Sequence, residues 1–190
     1  MHKLTKQIGP VIFISGIIII NILLWSSRMQ AAFLNNDAIL TSILGSTLLM
    51  GFFLVFLLST RMQWLVKLFG GLENLYFWHR ILAIATTAMI FIHQTLAYTN
   101  ITASQSTILI LGSPRDAGEL ARNGFILLVL IALMAKFLKY EHFRFIHRLL
   151  LIPYVFALYH SFYSSWVNLF TFDTLSLWMI FTSVVGLVSS

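Results

Sequence analysis

The chain has 190 residues, of which 59% are apolar and only 9% are charged, whereas soluble domains average about 25% charged residues. The apolar residues are spread over the whole length, which excludes a separate soluble domain and points to a lipid bilayer as the solvent. The absence of cysteine excludes disulfides, zinc–thiolate sites and iron–sulfur clusters, and the net charge of +6 is scattered rather than gathered in the basic stripe of a nucleic-acid-binding protein.

Six apolar windows follow one another along the chain, separated by charged or turn-forming clusters. Each has roughly the 20 residues that a helix needs to cross a hydrocarbon core of about 30 Å. They run from Ile8 to Trp25, Ala38 to Ser59, Leu75 to Tyr98, Leu120 to Leu138, Phe143 to Tyr163 and Leu169 to Val188. The predicted fold class is therefore all-α, a bundle of six transmembrane helices in which residues 1–190 form one domain.

The basic residues predict the orientation of this bundle. If the six windows alternate in direction, nine basic residues fall on one side of the membrane and three on the other. The nine are Lys3, Lys6, Arg61, Lys67, Arg80, Lys136, Lys139, Arg144 and Arg148, and the three are Arg28, Arg115 and Arg122. Because the positive side faces the cytoplasm, both termini are predicted to be cytoplasmic in a multi-pass plasma-membrane protein, and the loop from Thr99 to Gly118 to face outward.

Four of the six histidines lie inside the predicted spans, two in the third and two in the fifth. They are His79 and His93, then His147 and His160. Ionisable side chains are costly inside a membrane and usually face the bundle interior for a function. Imidazole is also the commonest metal ligand. A lone buried histidine is often just a hydrogen-bonded packing residue, but two on each of two helices favour a shared site.

The spacing places these histidines at two depths. His79 and His147 lie near the start of parallel spans, and His93 and His160 follow 14 and 13 residues later, about 20 Å along each helix. Two facing helices then offer one imidazole each at two levels, which is the ligand set of two stacked bis-histidine haems. His79 and His147 would bind the inner haem iron, and His93 and His160 the outer one.

Two further features bear on this interpretation. Fourteen residues keep His93 within about 40° of the His79 face, but thirteen turn His160 roughly 140° from His147 on a straight helix. Pro153 lies between them, so a kink or altered turn there is one candidate for restoring the phase, and helix tilt or haems bound at different lateral positions would serve as well. Arg80 and Arg148 directly follow the inner histidines and are candidate partners for haem propionates, or else anchors on the positive side.

The segments before these histidines resemble a known family. Residues 70–80 (GGLENLYFWHR) and 140–149 (YEHFRFIHRL) are similar to motifs of the transmembrane domain of the ferric reductase and NADPH oxidase superfamily. The resemblance covers nearly the whole chain and includes the spacing of 14 and then 13 residues between ligands. It implies an oxidoreductase in which electrons pass from a cytoplasmic flavin, FAD or FMN, reduced by NAD(P)H, through two b-type haems to oxygen or ferric iron outside.

Two departures from the family pattern qualify this expectation. Family members usually continue into a dehydrogenase domain, whereas this sequence contains no glycine-rich nucleotide loop, so the flavin is expected on a further domain or a partner subunit. The position one turn after His93 is Ala97, where an oxidase would carry a polar residue near the outer haem. Arg122, at the outer end of the fourth predicted span, is the candidate that compensates for it.

Two other functions stay open at this point. One is the haem-binding membrane subunit of a periplasmic methionine sulfoxide reductase, a short member of the same superfamily with a molybdenum-containing partner. The other is a non-redox transporter or structural bundle that uses its histidines for protons or packing. The scarcity of Asp and Glu in the spans argues against the transporter.

Overall fold

The computed structural model describes residues 2–31, 36–99, 113–134, 137–164, 169–170 and 172–189, and all the regular elements in these ranges are helices. There are eight in chain order. They are α1 (His2–Ala31), α2 (Asn36–Ser59), α3 (Gln63–Leu68), α4 (Leu72–Thr99), α5 (Pro114–Leu133), α6 (Tyr140–Arg148), α7 (Leu151–Ser164) and α8 (Thr174–Ser189).

Four segments are long and apolar enough to cross a membrane: Gln7–Arg28, Asn36–Ser59, Leu72–Ala97 and Tyr140–Tyr163. They coincide with the first, second, third and fifth predicted windows, so the chain is a multi-pass helical membrane protein. The fourth and sixth windows are also helical, as α5 and α8, but α5 carries several charges in its first half and α8 has only 16 residues. That these two also span the membrane stays a prediction.

The start of α5 differs from the prediction. The helix begins at Pro114, six residues before the expected Leu120, and ends at Leu133 rather than Leu138. Ser113 is the N-cap, its side chain accepts a hydrogen bond from the Asp116 N–H at 3.1 Å, and Pro114 occupies the first helical position. The apolar window missed this turn because its residues are charged, although the capping pattern was present in the sequence.

Helix α2 lies at the centre of one half of the bundle. It packs against α4, α8 and α1, and residues Ser46 to Leu58 of its length are buried without a break. Helices α5 and α7 form the other half and pack extensively on each other. Across the middle, Phe52 of α2 stacks on Phe125 of α5 with ring centroids 3.7 Å apart, and Phe56 meets the buried Tyr154 of α7 edge-on. These rings join the two halves.

Helix α1 begins at the same side of the bundle at which α8 finishes. Gln7 of α1 donates to the Asn74 side chain at 3.2 Å and accepts from the Trp78 indole N–H at 2.9 Å. Ser59, at the end of α2, donates to the carbonyl of Ser189 at the end of α8. This end also carries Arg61, Lys67 and Arg80 and is called the basic end below.

A short connection returns the chain from α2 to α4 at the basic end. It contains α3, an element that the sequence did not predict, followed by Gly70 and Gly71 with φ of 73° and 128°. The Gly71 N–H donates to the Val66 carbonyl and the Gly70 N–H to the Lys67 carbonyl, which terminates α3. Backbone of this left-handed kind favours glycine, and it directs the chain into the helix that bears His79 and His93.

Candidate functional site

The four predicted histidines form two facing pairs. The His79 and His147 ring centroids lie 6.1 Å apart with an interplanar angle of 60°, and the His93 and His160 centroids lie 6.4 Å apart at 78°. His79 and His93 project from α4, whereas His147 is on α6 and His160 on α7. The structure therefore combines the histidines into the pairs that depth along the helices predicted.

The distance within each pair can be compared with the geometry of a bound metal. A metal–imidazole nitrogen bond is about 2 Å long and the nitrogen lies about 1.1 Å from the ring centroid, so two imidazoles on opposite sides of one ion have centroids roughly 6.2 Å apart. Both observed distances are within a few tenths of an ångström of this value. Each pair could hold one metal ion with two axial ligands.

The two rings of each pair come from helices that do not pack closely on each other. Among the described helices, α4 packs on α2 and α5 but makes no extensive contact with α6 or α7. The imidazoles thus approach each other across a separation that their own helix backbones do not close. A flat group inserted between the rings would meet side chains from α4 on one side and from α6 and α7 on the other.

Hydrogen bonds fix one ring in each pair. His79 Nδ1 lies 3.0 Å from the Val55 carbonyl of α2, and His160 Nδ1 lies 2.8 Å from the Pro114 carbonyl of α5. A carbonyl can only accept, so in both rings Nδ1 carries the proton and Nε2 carries the lone pair. Many metal-bound histidines are held in the same way, with the nitrogen that does not bind the metal donating to a carbonyl.

The other ring of each pair is held differently. His93 Nδ1 and His147 Nδ1 are buried and make no hydrogen bond of acceptable geometry within the described part of the chain, although the Thr41 backbone interacts with the His93 ring. The His147 ring stacks on Phe143, with centroids 5.2 Å apart and an angle of 23°. The sequence analysis did not single out Phe143; its position one turn before His147 is the signal that could have found this contact.

The aromatic residues that lie close to the four histidines in the sequence have mixed positions. Trp78 is directed to α1, where its indole N–H donates to Gln7, so it connects two helices and does not line the site. Phe77, Phe91 and Phe145 are exposed on the helix surface. Tyr159 lies against Tyr163, and Phe162 against Phe170.

Of the three predicted arginines, two are exposed and the third is hydrogen-bonded to its neighbour in the chain. Arg80 and Arg148 are exposed at the basic end next to the His79–His147 pair, and their role as anion partners stays a prediction. Arg122 is not at the outer end of its helix, because α5 begins eight residues earlier; its Nε donates to Asn123 at 3.0 Å. Asp173 pairs with Arg28 and caps α8 by accepting from the Ser176 N–H and hydroxyl.

A different kind of metal site would bind a free ion through three or more side chains. In the described segments, no group of three His, Asp or Glu side chains is arranged to hold one. A metal ion held by one histidine pair would have to take its remaining ligands from a bound cofactor or from water.

Helical membrane spans and two stacked histidine pairs define the class of protein, an integral membrane protein with paired buried imidazoles. The family model described as "Ferric reductase like transmembrane component" matches residues 44–158, more than half of the chain. The protein therefore belongs to the ferric reductase-like transmembrane family, within the oxidoreductases. The matched region includes His79, His93 and His147 and ends two residues before His160. A search of curated proteins gave no match.

Proposed function

We propose that this protein carries electrons across the membrane through two b-type haems, one at each histidine pair. The observation that carries the proposal is the ring spacing of 6.1 and 6.4 Å in two pairs at different depths. Membership of the ferric reductase-like family supports it independently. The absence of cysteine requires a haem bound without thioether links.

The residues of the chain would position the cofactor rather than react with it. His79 and His160 donate Nδ1–H to backbone carbonyls and so present Nε2 toward the opposite ring. A haem held between each pair would supply an iron that alternates between the ferric and ferrous states and carries one electron at a time. The stacked Phe52 and Phe125, with Tyr154, fill the bundle between the two levels and exclude water there.

The direction of transfer follows from the charges. The basic end is proposed to face the cytoplasm, where a flavin reduced by NAD(P)H, on a further domain or a partner subunit, would deliver electrons to the His79–His147 site. The acceptor, oxygen or ferric iron, would be reduced beside the His93–His160 site. Arg80 and Arg148 are exposed at the basic end and are proposed to pair with the carboxylates of the nearer haem.

The test is the haem content of the purified protein. The wild type is expected to show the Soret band and reduced-minus-oxidised spectrum of b-type haem, with about two haems per chain, and His93→Ala to retain about one. His142→Ala is the matched control, because His142 is exposed on α6 only five residues before His147. We expect it to bind as much haem as the wild type.

Two results would contradict the proposal. One is wild-type protein that stays colourless when haem is supplied during expression, which would favour a non-redox bundle. The other is an equal loss of haem in His93→Ala and His142→Ala, which would show that the pairs are not the ligands.

A further inference from the structure

Two glycines lie directly against the rings of the His93–His160 pair. Gly45 is on α2, which packs against the helix that bears His93. Gly118 is on α5, which packs against the helix that bears His160. A glycine inside a helix lowers its stability by about 1 kcal/mol relative to alanine, so glycine at both places requires a compensating reason.

Gly45 faces the edge of the His93 ring. A Cβ built on Gly45 would lie 2.9 Å from Cε1, 3.5 Å from Nδ1 and 3.6 Å from Nε2 of that ring. Contacts under about 3 Å between such carbon atoms are strongly repulsive. A methyl group there would press on Cε1, between the two ring nitrogens, and displace the ring.

Gly118 faces the opposite side of the site. A Cβ built on Gly118 would lie 2.6 Å from His160 Nδ1 and 2.9 Å from both Cε1 and Cγ. The same Nδ1 is 2.8 Å from the Pro114 carbonyl, one turn earlier on α5. A methyl group at position 118 would therefore displace the ring and lengthen this hydrogen bond.

We propose that Gly45 and Gly118 are positioning residues for the His93–His160 pair. Because both lack a side chain, α2 and α5 approach the imidazoles from behind and hold them facing each other with centroids 6.4 Å apart. The inference rests on the proposed function, since ligation of one haem is what demands this ring position.

The effect is specific to ligation because the obstructed groups are rotatable rings. Without a cofactor, each imidazole can turn away from a new methyl group at small cost. With a haem, both rings must keep one position, so the cost appears as weaker haem binding. Gly51, by contrast, approaches Thr86, and Gly124 approaches Pro153. These two are close helix contacts that involve no histidine.

The experiment compares Gly45→Ala, Gly118→Ala and Gly16→Ala in the full chain. A Cβ added to Gly16, on α1, would meet nothing within 4 Å, so Gly16→Ala is the matched control. We expect it to keep about two haems per chain, and the two site variants to bind the second haem about 10- to 100-fold more weakly, as when other groups that hold a metal ligand in place are changed. Potentiometric titration should show that the weakened component is the one lost in His93→Ala.

Thermal unfolding of the haem-free proteins provides the second readout. Gly45→Ala and Gly118→Ala should unfold within a few degrees of Gly16→Ala, because the apo rings can move aside. If Gly45→Ala fails to fold, the double variant Gly45→Ala/His93→Ala should recover, since the obstructed ring is gone; no recovery contradicts the inference.

The experiment distinguishes failure of the proposed function from failure of this inference alone. Wild-type protein without haem contradicts the proposed function and this inference with it. Two haems in the wild type and two unchanged haems in both glycine variants contradict this inference alone. Loss of the haem that depends on His79, instead of the one that depends on His93, contradicts it as well.

Discussion

The two histidines of each pair are supported unequally. His79 and His160 donate to backbone carbonyls, whereas His93 interacts with the Thr41 backbone and His147 makes no hydrogen bond at Nδ1 within the described segments. A carbonyl acceptor at Nδ1 makes the imidazole a stronger electron donor through Nε2 and fixes its tautomer. The proposed haem at the His79–His147 pair would thus have one ligand oriented by a hydrogen bond and one held by packing.

For His147 this packing is the Phe143 ring, and a substitution there should weaken one site selectively. An aromatic pair contributes about 0.5–1.5 kcal/mol, so Phe143→Ala should weaken haem binding at the His79–His147 site by roughly tenfold at most. Haem titration of the apo protein, resolved by the redox potentials of the two components, measures this change.

The control for Phe143 lies two residues away. Phe145 is 66% exposed on the same helix, so Phe145→Ala removes an equal ring without touching His147 and should leave both sites intact. If the two alanine variants behave alike, the stacking contact has no role in ligand binding.

At the scale of single helices, the fifth predicted span is divided in two. Helix α6 ends at Arg148 and α7 begins at Leu151, with Pro153 as the third residue of α7. The N–H groups of Leu149, Leu150 and Ile152 donate to carbonyls three residues earlier, instead of four. Each residue in this tighter turn rotates the chain by about 120° rather than 100°, so three of them reduce the phase difference between His147 and His160 by about 60°.

The altered turn that Pro153 predicted is therefore present, and its removal gives a directional prediction. Alanine at position 153 restores an N–H that can bond to the Leu149 carbonyl and convert the turn to α-helix. Helix α7 is held by its extensive packing on α5, whereas α6 has no buried residue, so α6 and His147 should move. Pro153→Ala should lower haem occupancy at the His79–His147 site about tenfold or more and spare the other site.

Pro10 supplies the comparison for this variant, because it also lies inside a membrane helix, α1, but far from the histidines in sequence. Pro10→Ala should keep both haems. Equal haem content in Pro153→Ala and the wild type would contradict the role assigned to the turn, and loss at the His93–His160 site would contradict the assignment of α6 as the element that moves.

The sequence contains the signals for the histidine pairs but not for the groups that hold the rings in place. Apolar length and histidine spacing were enough to place His79, His93, His147 and His160 on the correct helices and in the correct pairs. The Val55 and Pro114 carbonyls could not be predicted, because any residue type provides a carbonyl and its partner depends on how helices pack. Gly45 was visible as an isolated glycine in a predicted span, whereas Gly118 fell in the predicted outer loop, and a packing partner has to be known before either residue is interpretable.

At the scale of the whole molecule, polar contacts close the bundle at both ends. At the basic end, Gln7 links α1 to Asn74 and Trp78 of α4. At the opposite end, Arg28 of α1 pairs with Asp173, which caps α8. Because lipid offers no hydrogen bonds, polar groups near the membrane gain by pairing with each other. The arrangement places His79 and His147 nearer the basic end, and His93 and His160 nearer the other.

Orientation in the membrane is the property on which the direction of electron transfer depends. The protein has no cysteine, so a single introduced cysteine can be labelled without background. Met62 is exposed at the basic end and Ser27 is exposed near the opposite end. From the excess of basic residues, a membrane-impermeant maleimide added to intact cells should label Ser27→Cys and leave Met62→Cys unlabelled until the cells are opened. The reverse pattern would place the His93–His160 site on the cytoplasmic side and invert the proposed direction of transfer. Labelling of both variants in intact cells would contradict the assignment of the two ends to opposite sides of the membrane.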